Sequence, residues 1–470
     1  MLEAALGCFA AVVAVAAAAR ASRRASRPLC SDLPSLTLVK PPTHNRRPPS
    51  QLDDLVLGET RACPEWERLL SLRCFSLHLL RHGNALFLQT PEGVDVYSSF
   101  SGSFVKDAQL RNAVSVLSVP MEMMMRWAEG LGVACDSLLL TSTGRCGSTL
   151  LAQLLESQPG VISISEPMAL GVSAAMLASP RAVRSPDFLG EWIKQEATSV
   201  AAAALAAQLK DFKRGQLVCI KLHSQGTVVA PLLAKAFPEM RQLYLYRNAE
   251  ETVTSFNRFA MALLPGFIVR LKASFVGRLV FYKGILPLHL TYKTMPFFIS
   301  NLMDEEVSWA RSVWVWAQVC RVRALAGVFT LARQKDAMSI VVSCLQDWHL
   351  QSVLTWASNI RTVQRFLQRG EVPGLVTLHY DDLVTKREAA CARLLSFCKL
   401  AVGASQVQAA LAVMDVDSQQ NSRVGKMATG DQAAVYTDAQ RKLYDEYLKR
   451  FGVPCKFGGE LRLPANLLES

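Results

Sequence analysis

Four short groups of residues in this sequence have the types and spacing of an anion-handling site. The segment Thr141-Ser-Thr-Gly-Arg-Cys-Gly-Ser-Thr149 follows an apolar run at 138–140 and leads straight into Leu150-Leu-Ala-Gln-Leu-Leu-Glu156. Strand, glycine-containing loop and helix start in that order make an anion cradle. Gly144 and Gly147 let the backbone turn so that several N–H groups point inward, and the helix dipole adds positive potential. Ser148 and Thr149 add hydroxyl donors and Arg145 a full charge. A Ser/Thr-capped helix start would explain the hydroxyls alone, but not the whole strand-loop-helix context. The loop is not GxxxxGK[ST], because Ser follows Gly147, and no acidic strand end offers itself for magnesium. Arg247 ends a second apolar run as a planar fork suited to phosphate. Ser255, two helical turns further on, faces the same way. His223, two residues after Lys221, ends another run, where a neutral imidazole near its ordinary pKa of about 6.5 can take a proton at pH 7. Glu166 ends a fourth, at the rim where parallel sheets bind ligands.

These groups need scaffolding, and the sequence supplies a regular pattern of it. Strand candidates at 138–140, 161–164, 217–222, 243–246 and 375–379 alternate with helix candidates at 149–156, 201–212 and 251–259. Short buried strands separated by helices predict an α/β fold, three-layered, with a central parallel sheet of about five strands. Ahead of it, alternating runs at 85–88 and 94–97, broken by Gly83, Gly93 and Gly102, predict a small β-rich N-terminal preface. The segment 121–130 reads as a helix whose methionines fill core space. No internal repeat is visible.

Composition bounds the class. The chain has 470 residues, half of them hydrophobic and 19% charged, with 8 Trp and 20 Phe. That is too apolar for a disordered chain and too charged for a polytopic membrane protein. The net charge is 51 − 39 = +12, but it is concentrated. Residues 1–50 hold seven Lys/Arg against Glu3 and Asp32. The acid-free stretch 261–303 holds Arg270, Lys272, Arg278, Lys283 and Lys293 among several Phe residues. Two basic segments, without the aromatic pattern of an RNA-binding sheet, do not predict a nucleic-acid partner. The stretch 261–303 reads either as buried helices with snorkelling cations or as an acceptor lid or membrane-surface element. Twelve Cys without a CxxC pair, and seven scattered His, predict neither a disulfide framework nor a metal site. Cys391 and Cys398, seven apart, share a helix face and are expected in the core.

The sixteen apolar residues from Ala4 to Ala19, followed by Arg20, Arg23, Arg24 and Arg27, predict a single N-terminal membrane anchor. The basic flank favours the cytosolic side. The Pro-rich stretch behind it, with Arg46 and Arg47, reads as an extended spacer. The expected organisation is therefore 1–20 anchor, 21–60 Pro/Arg-rich linker, 61–134 N-terminal extension and 135–470 catalytic domain carrying 261–303 as an insertion.

Arg145-Cys-Gly-Ser-Thr149 resembles the 5′-phosphosulfate loop of sulfotransferases, and the run from Leu243 through Arg247 to Ser255 resembles that family's 3′-phosphate segment, with the family's spacing of 255 − 247 = 8. Lys221-Leu-His223 is similar to K-T-H of the cytosolic members, and His379-Tyr-Asp-Asp-Leu383 to their late Y-E-D-L. Arg423-Val-Gly425 with Gly430-Asp431 is similar to the C-terminal R-K-G…G-D-W. The resemblance covers about 135–460 with the motifs in family order. It implies a P-loop-like sulfotransferase fold and 3′-phosphoadenosine-5′-phosphosulfate as sulfuryl donor. The donor would be held by Arg145, Cys146, Gly147, Ser148, Thr149, Arg247, Ser255, Arg423 and Gly425. Arg145 and Lys221 would stabilise the bridging oxygen, and His223 or Glu166 would be the base. Chemistry favours His223; the glycan-type loop with Glu166-Pro167 favours Glu166, and would fit a Golgi lumen rather than the cytosol. The acceptor class is open among glycan, protein tyrosine, lipid and small alcohol. Two departures stand out: Leu150 and Gln432 occupy positions where the cytosolic members have Trp, so adenine must stack elsewhere. A P-loop kinase and an inactive sulfotransferase-fold binding protein are the alternative readings.

Overall fold

Among the described residues the strands form two five-stranded sheets, one antiparallel and one parallel. The computed structural model describes residues 33–40, 52, 55–81, 83–97, 104–171, 187–262, 348–416 and 436–469. They fall into two units, Met1–Val94 with Lys106–Leu131, and Asp95–Val105 with Gly132–Ser470.

The first unit is the β-rich preface. In chain order it holds β1 (Ser35–Val39), β2 (Leu57–Ala62), α1 (Trp66–Leu70), β3 (Phe75–Arg81), β4 (Asn84–Gln89), most of α2 (Val105–Asn112), β5 (Ser115–Pro120) and α3 (Met121–Glu129). Its strand order is β2-β1-β5-β4-β3. Leu86, Leu88, Leu110 and Val116 pack with Leu52 and Leu55 beneath the sheet, and Met124 of α3 is fully buried. Two expectations need correction. The segment 21–60 is not only a spacer, since it contributes β1 and the start of β2. Pro34 and Pro41 flank β1 in sequence rather than interrupt it, and β1 pairs with both β2 and β5, with a register shift between Thr37 and Val39 on the β2 side. The run 94–97 is not a strand: the Asp95 carboxylate accepts from the Tyr97 N–H at 2.9 Å, a side-chain turn that competes with extended pairing.

The second unit contains β6 (Asp136–Ser142), α4 (Ser148–Glu156), β7 (Val161–Ser165), α5 (Asp187–Leu209), β8 (Leu217–Lys221), α6 (Ala230–Ala236), β9 (Arg241–Tyr246), α7 (Ala249–Ala262), α8 (Trp348–Arg369), β10 (Leu375–His379), α9 (Tyr380–Thr385), α10 (Arg387–Phe397), α11 (Ala404–Met414) and α12 (Asp438–Arg450). Its sheet has the order β10-β9-β6-β8-β7, every pair parallel. Alternate residues sort to opposite faces. Leu138, Leu140, Cys219, Leu243 and Leu245 join α4, α10 and α11 in one core, which also takes in Cys391 and Cys398 as their spacing predicts. From β9, Gln242 donates to the Ala230 carbonyl of α6 at 3.2 Å. The α/β class with a five-stranded parallel sheet is therefore as the sequence pattern predicts.

This topology positions the site. The first strand of the sheet, β6, is central. The chain runs from it to one edge, returns, and then crosses to the other side. Because all five strands are parallel, the C-terminal ends of β6, β7, β8, β9 and β10 lie along one edge, where open α/β sheets bind ligands. Among the described residues no helix is long and apolar enough to cross a membrane. The expected anchor at 1–20, nearly all of 261–303, and Arg423, Gly425 and Gln432 lie outside the described residues.

Candidate functional site

The loop after β6 is folded by three left-handed residues. Gly144 has φ +78°, Arg145 +53° and Gly147 +83°. For Arg145 this conformation costs on the order of 1 kcal/mol, which a side chain without a specific task would not require. The loop is stitched to β9: the Thr143 N–H and the Cys146 thiol both donate to the Leu245 carbonyl, at 3.2 and 3.3 Å. Gly147 is the N-cap of α4, and no side chain caps that end. The first-turn N–H groups beside the buried Ser148 and Thr149 thus have no side-chain cap. Cys146 points away from this opening into the core, where burial pushes its thiol up from the ordinary value. Of the expected anion contacts, Cys146 can supply only its backbone.

The two cation-bearing segments meet here. The Arg145 Nε donates to Ser255 Oγ at 3.2 Å, joining the loop after β6 to α7 across 110 residues of sequence. Burial lowers the Arg145 guanidinium from its ordinary value; Glu166 opposes the effect and Arg247 adds to it. An arginine so lowered still carries its charge at neutral pH. Arg247, at the end of β9, donates through Nε to Glu251 Oε2 at 2.8 Å. Its guanidinium carbon lies 4.5 Å from the centroid of the Tyr380 ring. Its carbonyl accepts from Trp356 Nε1 of α8 at 2.9 Å.

Lys221 is almost fully enclosed. At 2% exposure its ammonium donates to Glu166 Oε1 at 2.9 Å and to Ser165 Oγ at 3.2 Å, with the Phe104 ring 5.3 Å away. A buried ammonium demands such partners. Glu166 is held in place from the main chain as well, its N–H donating to the Lys221 carbonyl at 2.7 Å and its φ at +56°. His223 caps a 3-10 turn, Ser224–Val229, and its Nε2 lies 3.3 Å from where a Cβ on Gly171 would be. Ser224, the next residue, lies equally close to the corresponding point on Gly144.

The structure thus brings together Arg145, Gly147, Ser148, Thr149, Arg247 and Ser255, and places Lys221 with Glu166 at neighbouring strand ends. Three participants were missed by sequence reasoning. Glu251 carried a usable signal, being four residues after Arg247 on a helix. Tyr380 lies in the His379–Leu383 motif, which by itself implies no contact for this ring, and the ring would lie 2.6 Å from a Cβ on Gly147. Ser165 carried no signal. Among the described residues no group of three or more His, Cys, Asp or Glu side chains is gathered as metal ligands.

No protein-family model matches the chain, and no curated protein matches it. Among solved structures it is similar to mouse sulfotransferase SULT7A1 complexed with PAP, at 11% identity and a TM-score of 0.31 over 69% of this chain and 87% of that one. It is similar also to sulfotransferase STF9 from Mycobacterium avium, at 11% identity and a TM-score of 0.33 over 77% and 89%.

Proposed function

We propose that the protein is a sulfotransferase that moves a sulfuryl group from 3′-phosphoadenosine-5′-phosphosulfate to an acceptor hydroxyl or amine. The reading rests above all on the Arg145–Ser255 hydrogen bond, which ties the 5′-phosphosulfate-like loop to the 3′-phosphate-like helix. A ligand anionic at both ends suits this arrangement: an uncapped helix start with a glycine loop on one side, and Arg247 with Ser255 on the other. Arg423 and Gly425 are proposed to join them from the C-terminal stretch.

The donor supplies an activated sulfuryl group, and the residues supply position and charge. Arg145 and Lys221 stabilise the bridging oxygen as the sulfur–oxygen bond to the nucleotide breaks and that oxygen keeps the electron pair. The acceptor atom bonds to sulfur and gives its proton to a general base. We assign that base to His223 and a positioning role to Glu166, because Lys221 at 2% exposure needs a counter-ion and Glu166 serves as one at 2.9 Å.

Titration with adenosine 3′,5′-bisphosphate in the presence of a chelator tests the donor site. Metal-independent binding is expected; binding of ATP only with Mg²⁺ would make the protein a kinase. A radiolabelled-sulfate transfer screen over glycan, protein, lipid and small-alcohol acceptors tests the reaction, and binding without any transfer would leave an inactive binding protein. His223→Ala and Glu166→Ala test the base. Loss of turnover with nucleotide affinity within about twofold, ~0.4 kcal/mol, is expected of His223→Ala. Near-normal turnover there would give the role to Glu166. The N-terminal anchor is proposed as well, and a glycosylation tag placed after residue 470 reports which side of the membrane carries the domain.

A further inference from the structure

Arg247 is held at both ends, and the way it is held selects which of its nitrogens a ligand can reach. Its main chain is fixed by Trp356 Nε1 at 2.9 Å and by the Thr252 hydroxyl at 3.5 Å, both donating to the Arg247 carbonyl. Its side chain is fixed twice. Glu251 Oε2 accepts from Nε at 2.8 Å, the hydrogen bond that joins the two side chains. Tyr380 presents its ring 4.5 Å from the guanidinium carbon. A guanidinium hydrogen-bonded through Nε and stacked on one face keeps Nη1 and Nη2 together as a fork, the geometry that binds a phosphate through two parallel hydrogen bonds.

The same Tyr380 ring bears on the loop. A Cβ on Gly147 would lie 2.6 Å from Tyr380 Cε2 and 2.8 Å from Cδ2, closer than side chains approach, so the ring rests on the bare backbone at the start of α4. One aromatic side chain therefore touches both the arginine at the end of β9 and the cradle at the end of β6. Tyr380 owes its place to β10: it is the first residue of α9, behind the His379 N-cap, whose Nδ1 accepts from the Asp381 N–H at 3.2 Å.

We propose that Tyr380 and Glu251 are positioning residues that make the site select nucleotides phosphorylated at both ends. They hold the Arg247 fork at a set distance and angle from the cradle. This rests on the proposed donor site and goes beyond it, since neither residue is asked to touch the ligand. Glu251 is 41% exposed and Arg247 27%, so water screens their attraction and the lasting effect of the pair is orientation.

The experiment measures the affinities for adenosine 3′,5′-bisphosphate and for adenosine 5′-phosphate, and compares their ratio across variants of the full chain. In Glu251→Ala, simple charge removal would raise the ratio, because a carboxylate near the second phosphate is gone. Loss of orientation lowers it, and a fall of roughly five- to tenfold is expected, the scale of one charge-assisted hydrogen bond in a partly exposed site. Glu251→Gln keeps an oxygen to accept from Nε and should restore the ratio. Tyr380→Leu should lower it by a similar factor and Tyr380→Phe should leave it within about twofold, since the ring rather than the hydroxyl meets Arg247. Retained binding of adenosine 5′-phosphate shows that each variant is folded. Should Tyr380→Leu fail to fold, the Glu251 pair decides alone. A ratio that rises or stays level in Glu251→Ala overturns the inference while leaving the donor site standing. A wild-type protein that binds no bisphosphate overturns both.

Discussion

Replacing Glu166 by Gln should weaken the structure around β8, because Lys221 would lose its counter-ion. Lys221 is 2% exposed, and its ammonium has Glu166 at 2.9 Å, Ser165 Oγ at 3.2 Å and the Phe104 ring at 5.3 Å. Removing one partner of a buried ion pair costs about 3–5 kcal/mol, because the surviving charge stays desolvated. Glu166 itself is 26% exposed, so part of its interaction already passes through water. A loss at or just below the bottom of that range, about 2–3 kcal/mol, is therefore expected. Lys221→Met should cost less, about 1 kcal/mol, since the partly exposed carboxylate can rehydrate and the new side chain fills much of the same volume. The double variant should resemble Lys221→Met alone, which leaves a coupling of about 2 kcal/mol.

Hydrogen exchange at the amides of residues 218–220 reads this locally, since those residues are central in the parallel sheet and paired on both sides. Protection should fall by about thirtyfold to a hundred and fiftyfold in Glu166→Gln and recover most of that in the double variant. A coupling below about 0.5 kcal/mol would refute the reasoning. Glu166 would then not be the counter-ion of Lys221, and its assignment as a positioning residue would fall with it.

Gly147→Ala should destabilise the protein by about 2–4 kcal/mol and abolish bisphosphate binding, because φ is +83° and the new methyl would meet the Tyr380 ring at 2.6 Å; urea unfolding and titration read the two effects. His379 is lowered from its ordinary value by burial first, with Arg462 adding to this and Asp381 opposing it. The unfolded chain then binds a proton near pH 6.5 that the folded one resists, so stability should decline as pH falls below about 6.5, and His379→Gln should flatten the slope of the urea midpoint between pH 7 and 5. For the Asp382 carboxyl, burial pushes upward, but the Lys386 hydrogen bond and the Arg462 charge outweigh it and hold the group below its ordinary value. Its stabilisation is therefore complete above about pH 4 and lost as pH falls through the folded value, so wild type should lose stability more steeply than Asp382→Asn below pH 4 in the same assay.

The parallel sheet was legible in the sequence because its strands are largely buried and read as short, mainly apolar runs. The run at 375–379 matches β10 residue for residue, and 217–222 overruns β8 by only Leu222. The antiparallel sheet was less legible. β1 alternates over only four residues, Ser35 to Leu38, directly after Pro34, too short a run to stand out as a strand in a proline-rich stretch. β5 pairs with β1 and β4, partners distant in sequence, and nothing local marked Ser115–Pro120 as a strand. Within the site, what was legible was whatever a motif carries: Arg145, Gly147, Arg247 and Ser255. Strand order was not, and strand order decides which charges meet. The Lys221–Glu166 pair exists because β7 and β8 are neighbours with Ser165 paired to Lys221, a register that neither segment reveals alone.

Helix α7 shows how the site is held by parts of the chain that take no part in it. Its residues fall into two sets spaced by one turn. Glu251 and Ser255 hold Arg247 and Arg145 at 2.8 and 3.2 Å. Glu250 and Thr254, one position earlier in each turn, face the C-terminal region: Arg441 of α12 forks onto the Glu250 carboxylate, with one contact at 2.7 Å, and the Tyr436 hydroxyl meets Thr254 Oγ1 at 3.1 Å. Residues four apart on a helix share a stripe, and adjacent stripes differ by about 100° around the axis. Fixing one stripe against α12 therefore fixes the rotation of the other toward the sheet. The Tyr436, Tyr444 and Phe457 rings stack edge to face behind Arg441 and give that anchor a rigid base. The distance between the two arginines is thus set partly by side chains near residue 441, almost two hundred residues from Arg247 and almost three hundred from Arg145, and the C-terminal helix belongs to the scaffold of the anion site as much as the strands that end in it.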